Sequence, residues 1–587
     1  MMDFFSHAKE TPSGRVGTKF LKDHLENVRQ LFKNGLKFLN IPDDQKMDLE
    51  NIAIYHDLGK YTQYFQDYLM DRPNVDYHLK AHSKFGALNY LSKYFNKNRW
   101  TAIVGYWIIS RHHSDLDSLM SLRGEFVESE CKKESILLEK KNYSMLPFIS
   151  KIQDETGIDN LDFLTENLDS PRTYFKEINH LLKNSDIQNY FMINYLYSLL
   201  IESDKLDASD TAAYHLLFSN KVDDDKGKPN QKWNEKSHNF SNLSLNELRN
   251  LVRKRVVDNL TNENILSHKL FTLTGPTGIG KTLTALDFAL KLRSKIRINE
   301  GREAQIIYAL PFINIIEQVE SVFRSLFSDK EAKILSHYQY ADVLSQQEMK
   351  GGEDGKDYNQ KMMSFDTWQC DIVITTFVQF LQTLIGNRNK LLKKFNHYAG
   401  SIIILDEVQT ISLQQLPLVG ASLYFLSKFL NSKIIMMTAT KPKIFELAND
   451  IILKKEGEKA NPLELLGSDE DVAKVFKSFN RTKLCPMIES PIQDSQEFVE
   501  EYFSNLWSAD KSCLIVVNTV KLSIDVYRHI KKYFSENNIK NPLHYLSTNI
   551  IPAERQNQIS TINQEIKEAK INNRLKPILI STQRSGS

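Results

Sequence analysis

The chain has 587 residues, more than one hydrophobic core usually serves, so at least two domains are expected, and three suit the length better. Apolar residues make up 41% and charged residues 25%, which excludes a disordered or fibrous chain. The 75 basic residues against 73 acidic ones leave a formal charge of +2, which excludes a histone-like basic shell and confines any nucleic-acid contact to local grooves.

The first residues, MMDFFSHAKETPSGR, lack a basic region followed by an apolar stretch, and no apolar run is long enough to span a bilayer. Neither export nor membrane insertion is expected. From about residue 18 to 215, apolar residues recur at three- and four-residue spacing, as in LKDHLENVRQLFKNGLKFL and INYLYSLLIESDKL, which predicts an all-α region over 1–218. Seven of the fifteen histidines fall in the first 113 residues. His24, the pair His56 and Asp57 in HDLGK, His82 in HSKFGA, and His112 with His113 in RHH follow one another on predicted helices, and Asp204 in SDKLD closes the series. Imidazoles and carboxylates together suit displacement at a phosphodiester, where metal ions activate water and neutralise the non-bridging oxygens. Asp57 has two oxygens with which to bridge two cations, and Lys60, one helical turn after His56, is expected to share its face and meet the scissile phosphate. His7 precedes the first helix and His78 lies in the polar loop DRPNVDYHLK, so both are left out.

This ordered series resembles the HD phosphohydrolases. The resemblance implies one ion held by His24, His56, Asp57 and Asp204, and a second held by Asp57, His82, His112 and His113. Asp207 is the alternative to Asp204. The donor set admits iron, manganese, cobalt, nickel or zinc, so two divalent transition-metal ions are expected without a choice among them.

Residues 219–245 lose the helical period and collect Asp, Lys, Gly, Pro and Asn, the composition of a linker. Beyond it, KLFTLTG, AQIIYALP, CDIVITT, SIIILDE and KIIMMTAT each precede a helical stretch, which predicts a parallel sheet flanked by helices over 246–480. The polar stretch between His337 and Trp368, with KGGEDGKDYNQK, reads as an exposed insertion. GPTGIGKT sits between an apolar strand and a helix, the setting of a phosphate-binding loop. Gly275, Thr277, Gly278 and Gly280 form the cradle, Lys281 faces the β- and γ-phosphates, and Thr282 offers its hydroxyl to Mg2+ of bound ATP. Strand IIIL delivers Asp406 to hold that magnesium and Glu407 to polarise water. With VITTF (Thr375, Thr376) and TAT (Thr438, Ala439, Thr440), the order resembles superfamily two helicases, in which the first pair touches DNA and TAT couples nucleotide to strand movement.

Residues 481–587 begin a second α/β lobe at CLIVVNTVKLSIDVYRHI, with further strands in HYLST and KPILIST, and read as incomplete. Four cysteines without paired spacing, Cys131, Cys370, Cys485 and Cys513, suggest neither zinc nor disulfides, and a reducing cytoplasm is expected. The whole series, an all-α HD domain followed by RecA-like lobes, resembles the CRISPR-associated helicase-nuclease that is the signature effector of type I CRISPR systems. That resemblance implies a monomeric, ATP-driven motor recruited by a guide-RNA surveillance complex, which reels in the displaced strand and cuts single-stranded DNA at the HD site. The family pattern continues past ISTQ to an arginine that completes the ATP site, whereas this chain stops at RSGS. Arg584 is therefore read as a tag remnant or truncation scar, and poor ATP hydrolysis with retained cleavage is expected. Two other readings stand beside this one: an HD nucleotide phosphohydrolase with a helicase-like regulator, and a DNA- or partner-binding module with an inert motor.

Overall fold

The computed structural model describes residues 3–12, 14–72, 76–158, 171–184, 186–216, 244–327, 332–337, 355–440, 443–479, 483–488, 492–572 and 575–582. Most of the expected linker, Arg584 and, of the expected insertion between His337 and Trp368, the part before Gly355 lie outside them; the rest of that insertion forms a helix, Gly355–Asp366. The chain forms two compact units, Met1–Phe479 and Asn480–Ser587.

An antiparallel hairpin, β1 (Phe5–Thr11) and β2 (Gly14–Phe20), opens the first unit, ahead of the helices that the periodicity predicts. The helices that build the first candidate site are α1 (Leu21–Leu36), α2 (Ile52–Tyr55), α3 (Ser83–Phe95), α4 (Arg99–Arg111) and α5 (Ile187–Ala208). In α1 the buried Leu21, His24, Leu25, Val28, Phe32 and Leu36 recur at helical spacing, so the inward stripe carries a histidine among its aliphatics.

After α6 (Leu245–Asp258), capped by a Ser244–Glu247 capping box, comes a seven-stranded parallel sheet in the order β5-β6-β4-β7-β8-β3-β9. Its strands are β3 (Leu270–Thr274), β4 (Ile306–Leu310), β5 (Ile334–His337), β6 (Ile372–Thr376), β7 (Ile402–Leu405), β8 (Lys433–Thr438) and β9 (Leu463–Glu464). The five apolar runs expected to be strands supply β3, β4, β6, β7 and β8. β5 and β9 are additions: half of β5, ILSH, is polar, and β9 has only two residues. Alternate residues face opposite ways. Ile306, Tyr308, Ile402, Ile404 and Ile435 pack on one face, against the core that includes Phe288 of α7 (Lys281–Glu300). Ile307, Ala309, Ile403, Leu405 and Ile434 face a second core, which is continuous with that of the N-terminal helices. The N-terminal helices and the sheet are thus parts of one packed body.

The second unit has its own core, including Val526, Ile530, Phe534, Ile578 and Ile580. Its three parallel strands, β10 (Cys513–Val517), β11 (Leu543–Leu546) and β12 (Ile578–Thr582), run in the order β10-β12-β11. No helix among the described residues is long and apolar enough to cross a membrane.

Candidate metal centre and nucleotide site

Five helix ends and turns converge on the first site. His24 stands on the first turn of α1, while α2 ends at Tyr55 and hands the chain through His56 and Asp57 into a 3-10 turn, Leu58–Tyr61. Lys60 therefore does not continue the helix face of His56. It reaches back across that turn to Asp57 Oδ2 at 2.6 Å. His82 precedes α3 at its N-cap, His112 caps α4 at its C-terminus with His113 next, and Asp204 and Asp207 lie one turn apart near the end of α5. Two glycines of the quoted motifs set the spacing. A Cβ on Gly59 would stand 2.6 Å from His82 O, and one on Gly86 1.8 Å from Tyr55 O, so each lets the other's segment approach.

Two groups of ligand atoms result, Asp57, His82, His112 and His113, and His24, His56, Asp57 and Asp204. Within each group all the atoms lie within 4.8 Å of one another, and Asp57 belongs to both. Asp57 Oδ1 is 3.1 Å from His82 Nε2 and 3.7 Å from His112 Nε2, whereas its Oδ2 is 3.1 Å from His24 Nε2 and 3.4 Å from His56 Nε2. The two carboxylate oxygens thus divide between the groups. His56 Nδ1 donates to Ala53 O and His112 Nδ1 to Ile109 O, each at 2.7 Å, which fixes the tautomer and leaves a lone pair on Nε2 facing inward. His56 Nε2, His112 Nε2 and Asp57 Oδ1 are buried without a hydrogen-bond partner among the described residues. Buried polar atoms are nearly always satisfied, so three orphans aimed into one cluster fit a cation between them.

Asp204 Oδ1 faces the cluster, 3.6 Å from His24 Nε2, while Asp207 Oδ2 meets the outer nitrogen, His24 Nδ1, at 2.6 Å. Asp207 is itself held by Asn27 and Lys19, a carboxylate that orients an imidazole. Burial opposes charge on His24, yet its bonds to Asp207 and Asp57 raise its pKa to about 9. Burial lowers the pKa of His56, and it lowers that of His82 to about 4, while the neighbouring His112, then burial, lowers that of His113. Against burial, His56 and Lys60 hold Asp57 well below the usual carboxylate range, and Lys205 and His56 do the same for Asp204. Ionised carboxylates and mostly neutral imidazoles are the forms that bind metals. His7, which its sequence position gave no reason to include, sets its ring edge-on to His24 with centroids 5.5 Å apart. Burial and Lys60 lower its pKa to about 4.

The second site lies where strand ends meet a helix start. The loop from Gly275 to Gly280 joins β3 to α7, and Gly278 and Gly280 take φ of 87° and 88°, the left-handed region open chiefly to glycine. Lys281 Nζ donates to Gly275 O at 2.9 Å, and burial lowers its pKa. Thr282 follows in the first turn of α7. Asp406, just past β7, accepts from Tyr308 Oη at 2.8 Å, and burial pushes its pKa up to about 6. Glu407 has a φ of 55°, a strained value for a side chain of its kind. Thr438 Oγ1 donates to Gln409 Oε1 at 2.9 Å and also receives Thr440 N at 3.0 Å, while Thr438 O accepts from Gly275 N at 3.1 Å. The TAT segment, with Ala439 at its centre, therefore touches both the phosphate loop and the segment after Asp406. Thr375 is buried and donates to His337 O, and Thr376 caps α8 (Phe377–Ile385) through Gln379 N. Arg249, on α6, was not singled out by any motif. Its guanidinium donates twice to Gly278 O, at 2.9 and 2.8 Å, and so braces the loop.

The DEAD/DEAH box helicase family matches residues 254–447, the stretch that carries six of the sheet's seven strands and the phosphate loop. The CRISPR-associated nuclease/helicase Cas3 of Haloferax volcanii is 23% identical over 451 residues, which are 69% of this chain and 46% of that protein. The protein of the same name from Methanothermobacter thermautotrophicus is 26% identical over 271 residues, covering 44% of this chain and 29% of its own. The chain thus spans less than half the length of the curated relatives it matches. The crystal structure of T. fusca Cas3 superposes with a TM-score of 0.57 at 12% identity, over 98% of this chain and 69% of that one. A chain of a structure titled as a CRISPR RNA-guided surveillance complex, pre-nicking, gives 0.51 at 13% identity, over 99% and 68%. At such identities the structural likeness speaks for the fold.

Proposed function

We propose that this chain, Cas3-like in sequence and in fold, is an ATP-dependent single-stranded DNA translocase or helicase that also cuts DNA at the HD-like centre, acting on the displaced strand after recruitment by a guide-RNA surveillance complex. The observation that carries the reading is Asp57, whose two oxygens serve two clusters of ligand atoms in the same compact unit that holds the phosphate loop.

In this reading His24, His56, Asp57 and Asp204 hold one divalent transition-metal ion, and Asp57, His82, His112 and His113 the other. Asp207 then keeps His24 in its binding tautomer. When bound, such ions supply a water made acidic and positive charge at the phosphate oxygens. Lys60, fixed beside Asp57, is placed to meet a non-bridging oxygen. In the helicase lobe, Gly275, Thr277, Gly278 and Gly280 offer backbone amides to the ATP phosphates, Lys281 adds charge, and Thr282 and Asp406 would hold Mg2+. The raised pKa of Asp406 suits a carboxyl that waits for a cation, since a nearby positive charge restores its ionised form. Glu407 orients water at the γ-phosphate. Thr375 and Thr376 lie at the backbone-tracking end of β6.

Cleavage of circular single-stranded DNA across a series of manganese, cobalt, nickel and zinc, with and without ATP, tests the proposal. Asp57→Ala should remove all cutting, by at least about 10²-fold, because it strips both clusters of their shared carboxylate. DNA binding should be unchanged. Cutting that survives Asp57→Ala, or activity on free nucleotides but not on DNA, would refute the nuclease half.

A further inference from the structure

We propose that Asn389, which belongs to the helicase lobe, is a positioning residue of the metal centre: its side-chain amide holds the turn that presents His112 and His113. The inference rests on the metal-centre reading above.

The pair His112–His113 stands where α4 ends and the chain turns away: Ile109 O of the last turn still holds the N–H and Nδ1 of His112, but the carbonyls at and beyond the cap lie past the helix's own ladder and need a donor from elsewhere. Asn389 Nδ2 lies 3.2 Å from His112 O, 3.3 Å from Ser114 O and 2.8 Å from Tyr197 Oη. Its backbone N donates to Asp115 Oδ1 at 2.8 Å, and Leu116 N donates to Asn387 O at 2.9 Å. The short loop after α8 is thus sewn to the short turn after α4 along its length. One of those carbonyls belongs to His112 itself and the other follows His113 directly, and these are the two imidazoles whose Nε2 atoms must aim at the second ion, with His113 Nε2 already 2.9 Å from His82 Nε2. A carbonyl that swings carries its imidazole with it. The same loop continues α8, which Thr376 caps, so the helicase lobe grips the metal centre from the end of a segment expected to track DNA. Groups that orient metal ligands from behind typically govern affinity by about 10–100-fold.

The test is a cobalt titration of the full chain, followed by the visible d–d bands, for the wild type, Asn389→Asp and Asn389→Gln. Asn389→Asp keeps the shape and loses the donor, whereas Asn389→Gln keeps the amide. The wild type should take up two equivalents. Asn389→Asp should take the first as the wild type does and the second only at about 10–100-fold more cobalt. Single-strand cutting should recover at high cobalt, ATP turnover should match the wild type, and Asn389→Gln should restore part of the affinity. Two wild-type equivalents in Asn389→Asp would overturn the proposal, as would loss of both together with the melting transition, which marks a merely structural role. A wild type that takes up no cobalt would bring down the metal centre itself, and Asn389 with it.

Discussion

Single residues carry most of the chemistry, and how many could be read in advance depends on what marks them. The histidines were legible because imidazoles recur in an order that composition alone does not produce. Asp204 and Asp207 could not be separated by spacing, since three residues place them on one helix face. The fold distinguishes them, with Asp204 facing the cluster and Asp207 behind His24. His7 and Arg249 had no motif to announce them, for each reaches its site only through tertiary packing. At the nucleotide site, Lys281 is the one lysine of the phosphate loop, and it bonds to Gly275 O. Lys281→Ala should lower ATP turnover by about 10²–10³-fold, the size seen when one transition-state donor is removed. Metal-dependent cutting without ATP should stay as it was. A turnover assay beside a cleavage assay on one preparation checks both.

Among elements, continuous apolar runs were legible as strands, while β5, which ends in Ser336 and His337, and β9, two residues long, were not. The hairpin of β1 and β2 was also missed, because most of β2 lies exposed and so carries little alternating apolar signal. Helix ends matter more than helix bodies here. His56 and Asp57 follow α2, His82 precedes α3 and His112 ends α4, which frees each side chain from the helical direction and lets three elements meet. The approach of α3 to α2 depends on Gly86, whose substitution by alanine would drive a methyl to 1.8 Å from Tyr55 O. Gly86→Ala should therefore cost at least the ~1–3 kcal/mol of an overpacked core. Denaturant unfolding should show it, and cobalt uptake should weaken in parallel because His56 and His82 move apart. A variant as stable as its parent would mean that the helices give way without cost.

For the molecule as a whole, the division into an all-α region and an α/β region was legible from the change of period, but the joint between them was not. Phe191 on α5 packs near Phe395 and Phe429 of the helicase lobe, with ring centroids 6.3 and 5.8 Å apart. Glu202, also on α5 and two residues before Asp204, accepts from Gln369 Nε2 and His397 Nε2, each at 2.6 Å, and from Asn396. None of these partners is close in the chain, so no local pattern could reveal them. Residues 1–216 expressed alone should bare this apolar face and leave Glu202 without its donors. Their thermal melt should be broad or well below that of the whole chain, and an equally sharp, equally high transition would show that the shared core is dispensable.

That common core also sets limits on heredity and on design. The helical region and the sheet cannot be exchanged like cassettes, because a graft from a distant cousin would arrive with the wrong surface beneath it. If the helical region is the proposed blade, disarming it while sparing the engine calls for a pinpoint change such as Asp57→Ala, since excision of the amino-terminal helices would cripple both.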